Sequence, residues 1–106
     1  MVLRNKEIKR LVLEAAEELT GNRYRKSDAN LMLDATVYAI EKALADGNDV
    51  AIHGFGRFVV HHYKDREIVN PKGERAILPA YKGVKFHAGD RLRREVAEGY
   101  ISLGRE

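Results

Sequence analysis

Cysteine is absent from the 106 residues of this chain, which excludes disulfide bonds and thiolate metal sites within it. Long apolar runs are absent too, since none approaches the roughly 18 residues that a membrane-spanning helix needs. The N-terminal stretch MVLRNKEIKR lacks the apolar core of a secretory signal. We therefore expect a cytoplasmic protein that makes no contact with a membrane.

Catalytic signatures are missing as well. The sequence has no phosphate-binding loop with a Lys-Ser or Lys-Thr pair, no G-x-S-x-G turn and no H-E-x-x-H helix. The histidines have no metal-ligand spacing, because His61 and His62 are adjacent and adjacent residues of a strand point to opposite faces. We expect no enzymatic activity, no metal, no cofactor and no small-molecule ligand.

The charge of the chain is distributed unevenly. Residues 50–94 contain ten Lys and Arg against four Asp and Glu, a net charge of +6, which leaves −3 for the rest of the chain. A basic half joined to a mildly acidic half indicates a polyanion-binding face on a separate scaffold, of which nucleic acid is the obvious partner. A solvated surface that happens to be basic is the alternative.

The first half of the sequence has the periodicity of helices. Apolar residues recur at three- and four-residue spacing in NKEIKRLVLEAAEELTG and, over a broader arc, in DANLMLDATVYAIEKALADG. Asn5 and Ser27 are the expected N-caps, and Gly21 and Gly47 the expected ends. The length suggests one small domain, residues 1–106, with marginal stability of its own. Because the second helix is apolar over so much of its surface, we expect it to pack against a second subunit.

From residue 49 the period changes to two, which is typical of strands. Gly54 and Gly56 bracket Phe55 and indicate a tight bend or a close backbone approach. A short helix is expected at the end, in HAGDRLRREVAEGY, before the tail ISLGRE.

Two long strands are expected between these points, over about 56–69 and 74–87. They are joined at NPKG, which suits a type I turn with Asn first, Pro second and Gly fourth. The result is a long hairpin with Pro71 at its tip. An isolated two-stranded ribbon is marginal in water, so a basic one is expected to order on a partner.

Three motifs occur in order along this second half: GFGRF at residues 54–58, the pair Asn70-Pro71, and F-x-A-G-x-x-L at residues 86–92. Together they resemble the bacterial histone-like HU/IHF family of DNA-bending proteins, over about residues 5–97. The resemblance implies an α+β fold with two N-terminal helices, a three-stranded antiparallel sheet with a long β-hairpin arm, and a short C-terminal helix. It also implies an intertwined homodimer. A helical dimerisation half would span about 5–47, the β-saddle and arm about 49–88, and the C-terminal helix about 89–99.

The resemblance implies that the arms lie in the minor groove of double-stranded DNA, where Pro71 wedges between base pairs and kinks the duplex. Contacts to phosphates position a protein without reading sequence, so weak sequence specificity is expected. The implied role is that of a nucleoid-associated protein that compacts or organises a genome. The expected DNA-binding residues are Arg57, Lys64, Arg66, Val69, Asn70, Pro71, Lys72, Arg75, Lys82 and Lys85.

Two other functions stay open at this point. A sequence-selective DNA bender that acts in transcription or recombination would use the same arms. A dimeric protein-interaction module would dock its hairpins on a protein, although a basic ribbon argues against it because protein interface cores are depleted in charge.

The sequence also departs from the family pattern at the arm. Val69 precedes Asn-Pro where arginine is common, and Tyr63 occupies a position that is often basic. Gly73 comes one place early, so that Glu74 stands where glycine is expected. These departures leave the geometry of the tip and any sequence preference open.

Overall fold

The computed structural model describes residues 1–99, and the expected C-terminal tail, from residue 100 on, lies outside them. The described backbone falls into two compact units, residues 1–42 and residues 43–99, and each is described by itself. No helix among the described residues is long and apolar enough to cross a membrane. The elements, in chain order, are α1 (Asn5–Thr20), α2 (Lys26–Ala45), β1 (Val50–Ile52), β2 (Gly56–Tyr63), β3 (Arg66–Val69), β4 (Arg75–Leu78), β5 (Tyr81–Ala88) and α3 (Asp90–Glu98).

The start of α1 differs from the prediction by one residue. Asn5 is the first helical residue and Arg4 is the N-cap. The backbone N–H of Arg4 donates to the carboxylate of Glu7 at 3.2 Å, which is the reach-back half of a capping box. The predicted end is confirmed: Gly21 has φ 75°, and its N–H donates to the carbonyl of Glu17 at 2.7 Å.

The start of α2 repeats this arrangement. The predicted cap, Ser27, is wrong, because the helix begins at Lys26 and Ser27 is its second residue. The carboxylate of Asp28 accepts the backbone N–H of Arg25 at 2.9 Å. In both helices an acidic side chain in the first turn fixes the entry, and its charge is favourable beside the positive end of the helix dipole. The acidic residue three positions after each cap, Glu7 or Asp28, is therefore the sequence signal that marks these helix starts.

The helical unit buries little of its own apolar surface. Ala29, 1% exposed, is the one buried apolar residue of the described chain. The broad apolar face of α2 therefore remains largely exposed to solvent within one chain, as its sequence pattern predicts. The large apolar residues that remain exposed on the two helices include Leu11, Leu19, Leu31, Met32, Val37 and Tyr38.

The predicted three-stranded antiparallel sheet is confirmed, with strand order β1-β2-β5. Its register pairs Phe58 with both Val50 and Phe86, and Tyr63 with Tyr81. Since alternate residues of a strand share a face, the register sorts the side chains into two sets. The apolar face carries Val50, Ile52, Phe58, Val60, Val84 and Phe86. The basic face carries Arg57, Val59, His61, Tyr63, Tyr81, Lys85 and His87.

The predicted bend before β2 is also confirmed. Gly54 has φ 74°, a conformation that favours glycine. A Cβ atom on Gly56 would lie 2.5 Å from the ring of Phe86. That ring packs on the apolar face against Phe58 and Phe55, with centroid separations of 4.8 and 5.4 Å. The absence of a side chain at Gly56 allows this close aromatic packing, whereas a Cβ atom on Gly54 would lie 2.8 Å from the guanidinium of Arg91.

Helix α3 is fastened to the same bend. The backbone N–H of Gly89 donates to the carbonyl of Phe55 at 2.9 Å, and that of Leu92 donates to Gly54 at 3.3 Å. Within α3, the guanidinium of Arg91 pairs with the buried carboxylate of Glu95 at 3.4 Å.

The two long continuous strands expected in the hairpin are each interrupted, which corrects that prediction. Regular pairing stops after Tyr63 and Tyr81 and resumes at Arg66 and Leu78. Pro79 lies in the gap of the returning strand. Proline has no backbone N–H to donate to a ladder, so it is poorly tolerated inside paired strands. Strands β3 and β4 therefore form a separate two-stranded sheet, which we call the arm.

Candidate nucleic-acid interface

The register of the arm separates its two predicted arginines. Arg66 pairs with Leu78 and Val69 pairs with Arg75. One side of the arm therefore carries Arg66, Ile68, Ala76 and Leu78, and the other carries Glu67, Val69, Arg75 and Ile77. Arg66 and Arg75 lie on opposite sides of the ribbon.

The tip of the arm is a three-residue loop, Pro71 to Gly73, closed by hydrogen bonds of Asn70. Its backbone N–H donates to the carbonyl of Glu74 at 3.0 Å, and its carbonyl accepts the N–H of Gly73 at 2.9 Å. Its side-chain oxygen accepts the N–H groups of Lys72 and Glu74, both at 2.9 Å. The predicted turn over residues 70–73 is confirmed, and Pro71 is exposed at its outer end.

The early glycine now has a physical reason. Gly73 has φ 82°, in the left-handed region, at the third position of the loop. Three-residue hairpin loops commonly consist of a turn followed by one left-handed residue, for which glycine is best suited. Glu74 can then stand where the family pattern has glycine, because the loop has already closed. The amide nitrogen of Asn70 also donates to the Glu74 carboxylate, at 3.3 Å.

One of the predicted cations of the arm has an acidic partner. Arg75 pairs with Glu67, its diagonal neighbour on the same side, at 3.4 Å. Both side chains are well exposed, so the pair contributes little to stability and can exchange readily for other partners. Within residues 1–99, the remaining predicted cations at the arm and its base form no ion pair: Lys64, Arg66, Lys72 and Lys82.

The other predicted cations belong to the three-stranded sheet. Arg57 and Lys85 lie on its basic face, and Arg57 pairs with Asp49 at 3.4 Å. Lys82 pairs in register with His62, which puts it on the opposite face from Lys85. A single flat surface therefore does not carry all of the predicted cations.

Two aromatic residues that the prediction left out lie on the basic face. The rings of Tyr63 and Tyr81 stack with centroids 4.6 Å apart and planes 11° from parallel. The ring of His61 meets that of Tyr63 edge-on at 4.4 Å. The unusual tyrosine at position 63 was the available signal, but the pairing with Tyr81 depends on a register that the sequence does not reveal.

A second cluster of cations, also missed, lies in the helical unit. A cavity of about 480 Å³ opens there. It is lined by Lys6, Glu7, Lys9, Arg10, Leu13, Lys26, Ala29 and Asn30. The spacing of Lys6, Lys9 and Arg10 puts them on one side of α1 and could have indicated this cluster. The cluster does not appear in the net charge of the residues outside 50–94, because acidic residues outnumber basic ones among them.

The comparisons with known proteins point in one direction. The model of the family described as "Bacterial DNA-binding protein" matches residues 4–97. Among curated relatives, the DNA-binding protein HU of Synechocystis is 33% identical over 92 residues, which is 86% of this chain and 92% of that protein. The integration host factor subunit alpha of Methylobacillus flagellatus is 37% identical over 76 residues, covering 71% of this chain and 76% of that protein.

Solved structures agree with the sequence relatives. The HU protein of Anabaena, crystallised with DNA, superimposes with a TM-score of 0.70 at 33% identity. The match covers 84% of this chain and 96% of the Anabaena chain. Because both sequence and fold match over most of the chain, it belongs to the bacterial DNA-binding protein family that includes HU and integration host factor.

Proposed function

We propose that this chain is a non-enzymatic architectural protein that acts as a homodimer, enters the minor groove of double-stranded DNA with its arms, and bends the duplex with Pro71. The observation that carries this proposal is the exposed Pro71 in a loop held by four hydrogen bonds at the end of a separate ribbon. A wedge must keep its shape while it unstacks a base step, which costs roughly a few kcal/mol. A loop that is already ordered loses little further entropy on insertion.

Exposed aliphatic side chains beside the proline support insertion into DNA. Val69 is 64% exposed and Ile77 is 73% exposed, and they are diagonal neighbours on one side of the arm. In water, such residues on a narrow ribbon have nothing to pack against. In a minor groove they would contact sugars and the edges of unstacked bases, and Val69 would widen the wedge.

The charges of the arm fit a groove better than a flat surface. Arg66 and Arg75 lie on opposite sides of the ribbon, so an arm inside the minor groove would present one arginine to each wall. Arg75 would exchange Glu67 for a phosphate. Such contacts make the affinity depend steeply on salt and only weakly on sequence.

The sheet would continue the contact through Arg57 and Lys85 of its basic face. The predicted roles of Lys64, Lys72 and Lys82 belong to the same proposal, as contacts to the phosphates around the arm. Asn70 is assigned mainly to the shape of the tip, since its side-chain oxygen already accepts two backbone N–H groups.

A homodimer is supported by the apolar surface that one chain leaves exposed. On the sheet, Val84 of the apolar face is 58% exposed, and the helices expose the apolar residues named above. Covering such surfaces is the dominant favourable contribution to association. A second copy of the chain would cover them, and the dimer would carry two arms.

The cellular role that follows is compaction or organisation of DNA in the nucleoid, with weak sequence preference. A sequence-selective bender is the close alternative, since one relative is an integration host factor subunit. The two functions differ in affinity: a sequence-selective bender would bind one particular duplex more than about tenfold more tightly than random DNA at matched salt.

The direct test measures affinity and bending together. Wild type and Pro71→Ala are titrated onto an intact and a nicked duplex across a salt series, with dyes at the duplex ends reporting the bend. We expect a steep salt slope, preference for the nicked duplex, and loss of bending with partial loss of affinity when Pro71 is replaced. Weak binding at low salt would refute DNA binding and favour a protein partner. An unchanged bend in Pro71→Ala would refute the wedge.

A further inference from the structure

The stacked tyrosines lie at the last rung of the three-stranded sheet, where regular pairing ends before the arm. Tyr63 and Tyr81 are direct partners in the register, and their rings are nearly parallel. Tyr81 is 47% exposed, while Tyr63 is the more covered of the two. The pair lies on the basic face of the sheet, which also carries Arg57 and Lys85.

The inner ring is fixed by its surroundings. Gly83 lies next to Tyr63, and a Cβ atom there would be 2.9 Å from the ring, so the tyrosine occupies the space that glycine leaves. His61 packs edge-on against the same ring, and the ammonium of Lys85 lies 5.5 Å from its centroid. These contacts hold Tyr63 in one orientation.

The outer ring is left with a free side. Tyr81 belongs to β5, which is an edge strand of the sheet. One side of its ring stacks on Tyr63, and no other aromatic ring of the described residues contacts it. The arrangement is a rigid aromatic surface, open to solvent, with Lys85 on the same face of the sheet.

We propose that Tyr81, braced by Tyr63, is a stacking platform for an unpaired DNA base at a gap or bulge. This rests on the proposed DNA binding and adds to it a specificity for DNA structure. Any base can stack on an aromatic ring, and nearby cations hold the attached phosphates, which is how single-stranded nucleic acid is commonly bound. Bases in an intact duplex already stack on both sides, so the platform acts only where pairing is broken.

This inference can be separated from simple flexibility. A nick or gap eases bending by any protein, whether or not a base is available to stack. A duplex with one unpaired adenine and a duplex with an abasic spacer at the same position are both flexible, but only the first offers a base. The platform therefore predicts that wild type distinguishes these two duplexes.

The experiment measures the affinity of wild type and Tyr81→Leu for the unpaired-adenine, abasic and intact duplexes at matched salt. We expect wild type to bind the unpaired adenine about tenfold more tightly than the abasic duplex, within the range reported for stacking on one aromatic ring. Tyr81→Leu should lose this difference and keep its affinity for the intact duplex. With 2-aminopurine as the unpaired base, wild type should quench the fluorescence and the variant should not.

Two further variants make the result decisive. Tyr81→Phe keeps the ring and should keep the discrimination, whereas Tyr24→Leu, in the linker between α1 and α2, should behave as wild type. Equal affinity of wild type for the adenine and abasic duplexes, or retained discrimination in Tyr81→Leu, would overturn the platform. Failure of wild type to bind the intact duplex would instead refute the proposed function, and discrimination between the other two duplexes would still be measurable.

Discussion

The side-chain oxygen of Asn70 lies 2.9 Å from the backbone nitrogen of Glu74, on the far side of the loop that presents Pro71. A single side chain thus connects the two ends of the tip, and it accepts a second N–H, from Lys72. The shape of the tip therefore depends on a hydrogen-bond acceptor in the side chain of residue 70. This matters more than an amide group that could contact DNA.

Replacing Asn70 should separate the shape of the tip from its chemistry. Asn70→Ala removes the acceptor, leaves two N–H groups without their partner, and should reduce the bend angle and broaden its distribution. Asn70→Asp keeps the acceptor and should retain most of the bend, at somewhat lower affinity because it adds a negative charge. Fluorescence energy transfer between the duplex ends measures both the mean bend angle and the width of its distribution. An Asn70→Ala protein that bends DNA like wild type would contradict this role.

Removing the carboxylate of Glu67 should strengthen DNA binding. Glu67 pairs with Arg75 at 3.4 Å and would lie near phosphates if the arm enters the groove. Glu67→Gln frees Arg75 and removes a repulsive charge, so we expect affinity to rise about fivefold at low salt, the equivalent of roughly 1 kcal/mol. The gain should shrink as salt rises. Glu18→Gln, on α1, serves as the charge-matched control, and an equal gain in both variants would mean that only net charge matters.

A methyl group at Gly56 should destabilise the fold. Its Cβ would lie 2.5 Å from the Phe86 ring and 2.7 Å from the carbonyl oxygen of His87, and the backbone carbonyl cannot move aside. Gly56→Ala should lower the free energy of unfolding by about 2–3 kcal/mol, as expected for overpacking. Gly73→Ala is the comparison, because a Cβ there meets nothing within 4 Å and only the left-handed φ is unfavourable. Urea unfolding followed by circular dichroism should show a much lower free energy of unfolding for Gly56→Ala than for Gly73→Ala. The reverse order would show that the aromatic packing is not tight.

Neighbouring residues on β5 should respond differently if the apolar face of the sheet is covered in a dimer. Val84 lies on the apolar face and Lys85 on the basic face. Val84→Asp should weaken or abolish the dimer, whereas Lys85→Asp should preserve it and weaken only DNA binding. Light scattering distinguishes about 24 kDa for a dimer from the 12.0 kDa of one chain. A wild-type protein that remains at the mass of one chain at high concentration would refute the homodimer.

Local patterns in the sequence were enough to predict much of this structure. The helices, the bend at Gly54 and Gly56, the tip at Asn70 and Pro71, and the family itself could be predicted because each depends on a few adjacent residues or on their spacing. Pro79 is also a local signal for the break, since proline cannot donate to a ladder, but the apolar residues around it have the alternation of a continuous strand.

Other features depend on which strands pair and in what register. The opposite orientation of Arg66 and Arg75 and the stack of Tyr63 on Tyr81 both follow from pairing between residues 6 to 18 positions apart. A shift of one residue in the pairing would reverse each of these assignments. The sequence indicates which residues form strands but not the register in which the strands pair.

The interruption at Pro79 also has a consequence for how such a protein can change over time. The arm closes through its own ladder and its own tip hydrogen bonds, so substitutions between residues 66 and 78 need not disturb the packing of the three-stranded sheet. The early glycine and the valine before Asn-Pro are differences of this kind. The arm can thus be exchanged as a unit. A tip of different length or chemistry could be grafted onto this sheet and selected for a new DNA preference, while the rest of the protein stays unchanged.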